Sequence, residues 1–165
     1  MDINQIILDS ENIKTVNWDE LNIKDDILRS IYRYGFEKPT PIQVASIKPI
    51  IEGRDLIAQA QSGTGKTGAF TISSLHKVNT DDDKTQIIML APTRELVMQI
   101  YDVVCELGGT IENIRIKTFV GGTSVNDDID YLKKTQPHIA IATIGRLYDM
   151  VYRRCLLYTS DAADE

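Results

Sequence analysis

Cysteine is nearly missing from this 165-residue chain, which has two, Cys105 and Cys155. Two thiols make neither a disulfide framework nor, by themselves, a metal site, and they fit a reducing compartment, with cytoplasm or nucleus as the expected location. Histidine is as scarce, and His76 and His138 match no motif and read as structural. Long apolar runs are absent too. Those present, such as residues 86–91, fall far short of the roughly 20 residues a membrane helix needs, so no membrane partner is expected. The opening residues Met1 to Asn4 put no basic segment ahead of an apolar one, which predicts no secretory leader. Positive charge is in deficit: 18 Lys and Arg stand against 24 Asp and Glu, a net charge of −6. This argues against a generally basic nucleic-acid coat. A local basic groove can still sit on an acidic surface, so nucleic acid stays open as a partner.

What is present builds a core, with 42% hydrophobic residues in a chain of one-domain length. Residues 1–15 are polar and lack sustained periodicity, which predicts a flexible N-terminal extension. Trp18 then stands in polar surroundings. Ile27, Leu28, Ile31 and Tyr34 fall at helical spacing, predicting a helix over 24–34 with Gly35 as its stop. Pro39 and Pro41 fix a rigid turn before a second helix over 41–51, bent at Pro49 and ended by Gly53. Further along, strands are predicted at 55–58, 86–91, 115–120 and 138–143. Helices are predicted at 66–78, 94–107, 126–134 and 146–154, and the acidic stretch 80–84 is a solvated loop. Asp127 and Asp128 sit in the first turn of their helix, where its dipole favours them. Strands alternating with helices predict an α/β fold, a mainly parallel sheet with helices on both faces, whose ligands bind at the carboxyl ends of the strands.

The most informative stretch follows the strand predicted at 55–58. Residues 60–67 read Ala-Gln-Ser-Gly-Thr-Gly-Lys-Thr, and a helix comes next. In this context Gly63 and Gly65 let successive backbone N–H groups turn inward around a polyphosphate. Lys66 reaches the terminal phosphates and the Thr67 hydroxyl can ligate Mg²⁺. The general motif opens with Gly where this chain has Ala60. The bland alternative is a Gly-rich turn with a solvated lysine, but the strand-loop-helix context favours a phosphate loop.

Five stretches, in order, resemble the first RecA-like domain of the DEAD-box ATP-dependent RNA helicases, within them most the group around eukaryotic initiation factor 4A. They are Tyr-Gly-Phe-Glu-Lys-Pro-Thr-Pro-Ile-Gln (34–43), Ala-Gln-Ala-Gln-Ser-Gly-Thr-Gly-Lys-Thr (58–67), Pro-Thr-Arg-Glu-Leu (92–96), Gly121-Gly122 and Thr-Ile-Gly-Arg (143–146). The resemblance covers Trp18 to Arg154 and implies a Q-motif region over 16–44 and a partial RecA-like ATP-binding domain over 45–154. It implies that Gln43 reads adenine through its carboxamide, that Phe36 stacks on the base, and that Lys38 lies along the nucleotide edge. Ala60, Gln61, Ser62, Gly63, Thr64, Gly65, Lys66, Thr67 and Gly68 are implied to hold the phosphates of ATP. Lys66 and Thr67 are implied to be the catalytic pair, with Mg²⁺ expected to be held by Thr67 through the nucleotide. Thr93, Arg94, Gly121, Gly122, Thr143 and Arg146 are implied to contact phosphates of single-stranded or duplex RNA, which carries no sequence readout. Trp18 stands where the family usually has an isolated Phe, and it reads equally as a core aromatic. Ile144 replaces the family's Pro, which leaves the turn at 143–146 less rigid.

The resemblance stops at Arg154, before the Asp-Glu-Ala-Asp motif that follows in the family. Residues 155–165 resemble a translated sequencing adaptor and are expected to be a non-native read-through tail, with residues 161–165 no substitute for the missing box. The expected whole is an RNA helicase that remodels or unwinds duplexes using ATP hydrolysis, with translation or RNA-processing proteins as partners. The chain itself is expected to keep both binding surfaces with little hydrolysis and to lack a later strand beside the phosphate-loop strand. A rival reading is a truncated module that clamps RNA or a partner without unwinding.

Overall fold

Ile27 and Ile31 lie one helical turn apart and are both fully buried, which sets the inner face of helix α1 (Asp25–Arg33) in the computed structural model of the chain. The structure describes residues 4–6, 16–153 and 155–156. It divides into two units, Met1–Lys77 with Val103–Ile111, and Val78–Asp102 with Glu112–Glu165.

In the first unit, α1 starts with Asp25 and Asp26 and ends near Arg33, charges that oppose its dipole at each end. The chain leaves it through Gly35 at φ +91°, a left-handed conformation that glycine adopts without strain. Helix α2 (Pro41–Ile51) has Pro41 in its first turn and keeps Pro49 inside. Strand β1 (Asn4–Ile6) pairs in parallel with β2 (Leu56–Ala58), and Gln5 lies opposite Ile57. A strand within the expected flexible extension is a departure. The polar triplet has no strand pattern of its own, and it is the ladder edge of β2 that supplies its hydrogen-bond partners. The rest of the extension, 1–3 and 7–15, lies outside the described residues. Helix α3 (Lys66–Lys77) follows the loop after β2, and Ile72 and Leu75 bury its inner face.

The second unit holds a three-stranded parallel sheet in the order β3-β5-β4, from β3 (Ile87–Ala91), β4 (Ile116–Phe119) and β5 (Ile139–Thr143). The central strand β5 is buried from Ile139 to Ala142, as a strand flanked on both edges should be. Helix α4 (Arg94–Gly108) follows β3, α5 (Val125–Lys134) follows β4, and α6 (Ile144–Tyr152) follows β5. Phe119, Leu132, Ala140, Ala142, Met150 and Leu156 form a core cluster here. All described strands pair in parallel, β1 with β2 in the first unit and β3-β5-β4 in the second. This is the expected α/β pattern, with a strand on the other edge of the phosphate-loop strand β2 still missing among the described residues. Apolar pattern identifies strands but carries no information on which edges meet. Helix α6 begins at Ile144, two residues earlier than expected, with extended Thr143 as its N-cap. Of the expected read-through segment, Leu156 is buried and the Cys155 carbonyl accepts a hydrogen bond from Gln136 Nε2 at 3.1 Å. Residues 157–165 lie outside the described residues.

Candidate nucleotide and nucleic-acid sites

The phosphate loop links β2 to α3 with Gly63 at φ +80° and Gly65 at φ +93°, both in the left-handed region. The first N–H groups of α3 have no intrahelical acceptor and face the loop as an anion-accepting end. Lys66 Nζ donates to the carbonyls of Ala60, at 2.6 Å, and Gln61, at 2.5 Å. Thr64 Oγ1 also donates to Gln61 O. The lysine therefore sits over the loop, held by neutral carbonyls that a phosphate oxygen outcompetes as a partner for an ammonium group. Thr67 follows it in the first turn of α3. Both line a cavity of about 510 Å³ that runs beside Ile42, Ser46 and Ile50 of α2 and Leu56 and Ala58 of β2. Its size is that of a small-molecule site. Phe36, Lys38 and Gln43 are not in its wall.

Gln43 is almost fully buried, and its amide joins two elements. Oε1 accepts from the Thr40 backbone N–H at 2.8 Å, one half of a capping box at the start of α2, while Nε2 donates to Gly65 O at 3.2 Å. Thr40 Oγ1 donates to Thr64 O at 2.9 Å. A Cβ at Gly65 would fall 2.8 Å from Gln43 Nε2 and 3.0 Å from Thr40 Oγ1, and a Cβ at Gly68 2.8 Å from the same amide nitrogen. Gln43 thus packs directly on Gly65 and Gly68, and a Cβ at either position would push its amide. Thr40 was not singled out from the sequence, although Thr-x-x-Gln ahead of an apolar run is a capping signal.

Phe36 lies half-buried against Tyr34, edge to face at 4.7 Å, and against Trp18, stacked at 6.1 Å. Trp18 is fully buried and its indole Nε1 donates to Phe36 O at 3.0 Å. It is a core aromatic that pins Phe36, and burial excludes it from stacking on a base. Lys38 is exposed.

In the second unit, register brings the other motifs together. Ala91 pairs with Thr143 and Phe119 with Ala142, so the chains leaving β3, β5 and β4 emerge side by side at one carboxyl edge. Thr93, Arg94, Gly121 and Gly122 are exposed there and Thr143 half-exposed. Three helices start at this edge, and Arg94 Nη1 lies 3.3 Å from where a Cβ of Gly122 would be. Gly122 has φ +82°, so its turn depends on glycine.

Arg146 behaves differently. It is buried in the first turns of α6, and its guanidinium donates to Asp128 Oδ2 at 2.5 Å, Thr123 Oγ1 at 3.2 Å and Thr123 O at 2.8 Å. The expectation that it grips phosphate therefore meets a side chain already committed inside the protein. Asp128 and Thr123 were not singled out as site residues. The available signal was helical phase, since Val125, Asp128 and Leu132 share one face of α5 and a carboxylate in an apolar stripe needs a partner.

Both histidines are structural, as expected. His76 Nδ1 accepts from Lys24 N, and buried His138 accepts at Nδ1 from Arg115 N at 3.1 Å. Burial, then the Arg115 charge, lowers the His138 pKa below its usual 6.5. Neither cysteine is in a disulfide among the described residues. No group of three or more His, Cys, Asp or Glu among the described residues is placed to hold a metal ion. No helix among them is long and apolar enough to cross a membrane.

Comparison with known proteins supplies the family. The sequence profile of the DEAD/DEAH box helicases matches residues 40–162. An ATP-dependent RNA helicase eIF4A of Pyricularia oryzae is 46% identical over 165 aligned residues, covering 96% of this chain and 41% of that protein. The ATP-dependent RNA helicase FAL1 of Mycosarcoma maydis is 51% identical over 89% of this chain and 37% of its own length. Among solved structures, a DEAD box protein from Methanococcus jannaschii superposes with a TM-score of 0.80 at 36% identity, over 87% of this chain and 39% of that one. S. cerevisiae Dbp5 bound to RNA and ADP BeF3 gives a TM-score of 0.77 at 34% identity, over 85% of this chain and 35% of its own. The chain thus spans about two fifths of the length of the curated relatives it matches. With the profile match over most of its length and the RecA-like fold of its structural neighbours, the chain belongs to the DEAD/DEAH box helicase family.

Proposed function

We propose that this chain is the ATP- and RNA-binding part of an ATP-dependent RNA helicase, in which adenine recognition is tied mechanically to the phosphate loop. The observation that carries this reading is the Gln43 amide, bonded to Gly65 O and packed on Gly68. A base that takes up the amide's donor and acceptor displaces its bonds to Gly65 O and Thr40 N, and so bears directly on the loop that cradles its phosphates. Phe36 supplies an apolar face for the base, and exposed Lys38 flanks it. The backbone from Gly63 to Gly68 accepts the phosphates, and Lys66 exchanges the Ala60 and Gln61 carbonyls for their oxygens. Thr67 offers a hydroxyl to Mg²⁺. This suits a cation that keeps several of its ligands from nucleotide and water. Bound Mg²⁺–ATP supplies the phosphoryl-transfer free energy that drives RNA remodelling.

At the carboxyl edge of the second unit, Thr93, Arg94, Gly121, Gly122 and Thr143 meet RNA phosphates. Three helix N-termini and one exposed guanidinium favour an anionic backbone there, and contacts to phosphate carry no sequence readout, so binding is sequence-independent. The RNA bound to Dbp5 in its solved complex supports the same polymer as ligand here. Dbp5 is also seen bound to Nup159 and Gle1, which supports protein partners here; translation or RNA-processing proteins and a cytoplasmic or nuclear location complete the reading.

The test is Lys66→Ala in the full-length protein, read as RNA-stimulated ATP hydrolysis. Loss of one charge-assisted phosphate contact, about 1.5–3 kcal/mol, together with lost orientation of the transferring group, is expected to abolish stimulated turnover. Unchanged turnover overturns the assignment.

A further inference from the structure

We propose that Arg146 and Asp128 are positioning residues for RNA. Their buried ion pair holds the Gly121-Gly122 turn in the shape that offers its backbone to phosphate, and neither side chain touches the nucleic acid. This rests on the RNA-binding reading above and corrects the role that motif order gives Arg146.

The turn is fastened at both ends. Thr123 Oγ1 donates to Val120 O at 2.9 Å, closing residues 120–123 on themselves. Arg146 then holds Thr123 by its hydroxyl and its carbonyl together, through Nη1 and Nη2. The same Nη1 bonds Asp128, and the two side chains are 7% and 5% exposed. The second carboxylate oxygen, Oδ1, faces Lys117 Nζ at 3.6 Å, and Lys117 also lies 5.1 Å above the Tyr131 ring. Asp128 therefore anchors two cations from two different elements, β4 and α6, while sitting on α5.

A phosphate could recruit Arg146 only by pulling it off Asp128 and Thr123 and releasing the turn. Arg94 has no hydrogen bond or ion pair of that kind among the described residues and lies exposed beside Gly122. Division of labour follows, with Arg94 as the contact and Arg146 as the clamp. The planar fork of Arg suits this role, because it meets a carboxylate, a carbonyl and a hydroxyl in one geometry that an ammonium cannot copy.

The two roles for Arg146 predict opposite signs for one substitution. Asp128→Asn removes a negative charge near an anionic ligand and frees the guanidinium, so a phosphate-gripping Arg146 would bind RNA more tightly. A clamping Arg146 loses its anchor, and binding of a single-stranded oligouridine to the full-length protein should weaken about tenfold or more, the scale of one charge-assisted bond. Arg146→Gln should weaken binding with the salt slope unchanged, whereas loss of a direct phosphate contact lowers the slope by about 0.7. Thr123→Val keeps the ion pair and deletes only the hydroxyl. It should weaken RNA binding even if the other two variants melt below the assay temperature. Tighter or unchanged binding by Asp128→Asn, a reduced slope in Arg146→Gln, or wild-type affinity in Thr123→Val each overturns the inference. Wild-type protein that binds no RNA at all overturns the RNA reading itself, and the inference falls with it.

Discussion

Replacing Gly68 with alanine adds one methyl group at the point where the base reader meets the phosphate loop. Gly68 is the third residue of α3 and is buried, and its φ lies outside the left-handed region, so alanine brings no backbone strain. In helix propensity alanine gains about 0.5–1 kcal/mol over glycine. The methyl, however, lands 2.8 Å from Gln43 Nε2 and 3.3 Å from Phe36 Cε2. A flexible amide could swing aside at little cost, but this one is held by Thr40 N at 2.8 Å and Gly65 O at 3.2 Å. Overpacking costs about 1–3 kcal/mol and the lost Gly65 bond about 0.5–1.5 kcal/mol, so after the helix gain roughly 2 kcal/mol remains against the native arrangement. If the strain is relieved by displacing the Gln43 amide, ATP should bind about 30-fold more weakly, since each 1.4 kcal/mol is tenfold. GTP offers the amide no matching pair and should lose far less. Calorimetric titration of wild-type and Gly68→Ala protein with both nucleotides reads the difference. Equal losses would refute adenine readout by Gln43, and no loss for either would refute the contact itself.

Trp18→Phe keeps an aromatic against Phe36 but deletes the indole bond to Phe36 O. It should cost about 1 kcal/mol of stability and a few-fold in ATP affinity, read by thermal melting and titration; no change in either would leave the pinning role without support. His138 has its pKa held down by burial and then by Arg115, so the folded chain binds fewer protons than the unfolded one as pH drops below 6.5. Its contribution to stability is therefore complete above that value and lost as pH falls through the lowered folded one. Protonation also removes the Nδ1 acceptor for Arg115 N. Denaturant melts between about pH 7.5 and pH 5 should show wild-type stability falling. His138→Asn, whose amide oxygen can take over as acceptor, should show a shallower fall, and an equal slope would refute this account.

Most elements were legible because their signals are local. Gly35 and Gly53 mark helix ends at φ +91° and +79°, and Pro41 opens α2 as expected. The loop at 60–67 could be read because only small residues permit its two left-handed turns. What escaped was non-local. Strand β1 exists through pairing with β2, 52 positions away in register, and nothing in Asn-Gln-Ile announces that edge. Trp18 reads equally as the family's isolated aromatic and as a core aromatic until it is seen buried with its indole on the Phe36 carbonyl.

Arg146 shows why motif order and ligand contact are separate questions. A motif records that a residue belongs with a site, yet a side chain can serve a site by touching the ligand or by holding what touches it. These differ in burial and in the partner carboxylate, neither of which is encoded within the motif. Arg94 and Arg146 follow the carboxyl ends of neighbouring paired strands, β3 and β5, and on sequence alone they look equivalent. Asp128, on a third element, separates them: it commits one guanidinium to the interior and leaves the other at the surface. On the proposed clamp, an acidic residue that counts against RNA when charges are summed is the one that holds the turn offered to it. Local net charge is for that reason a poor guide to anion binding wherever carboxylates are spent on holding cations in place.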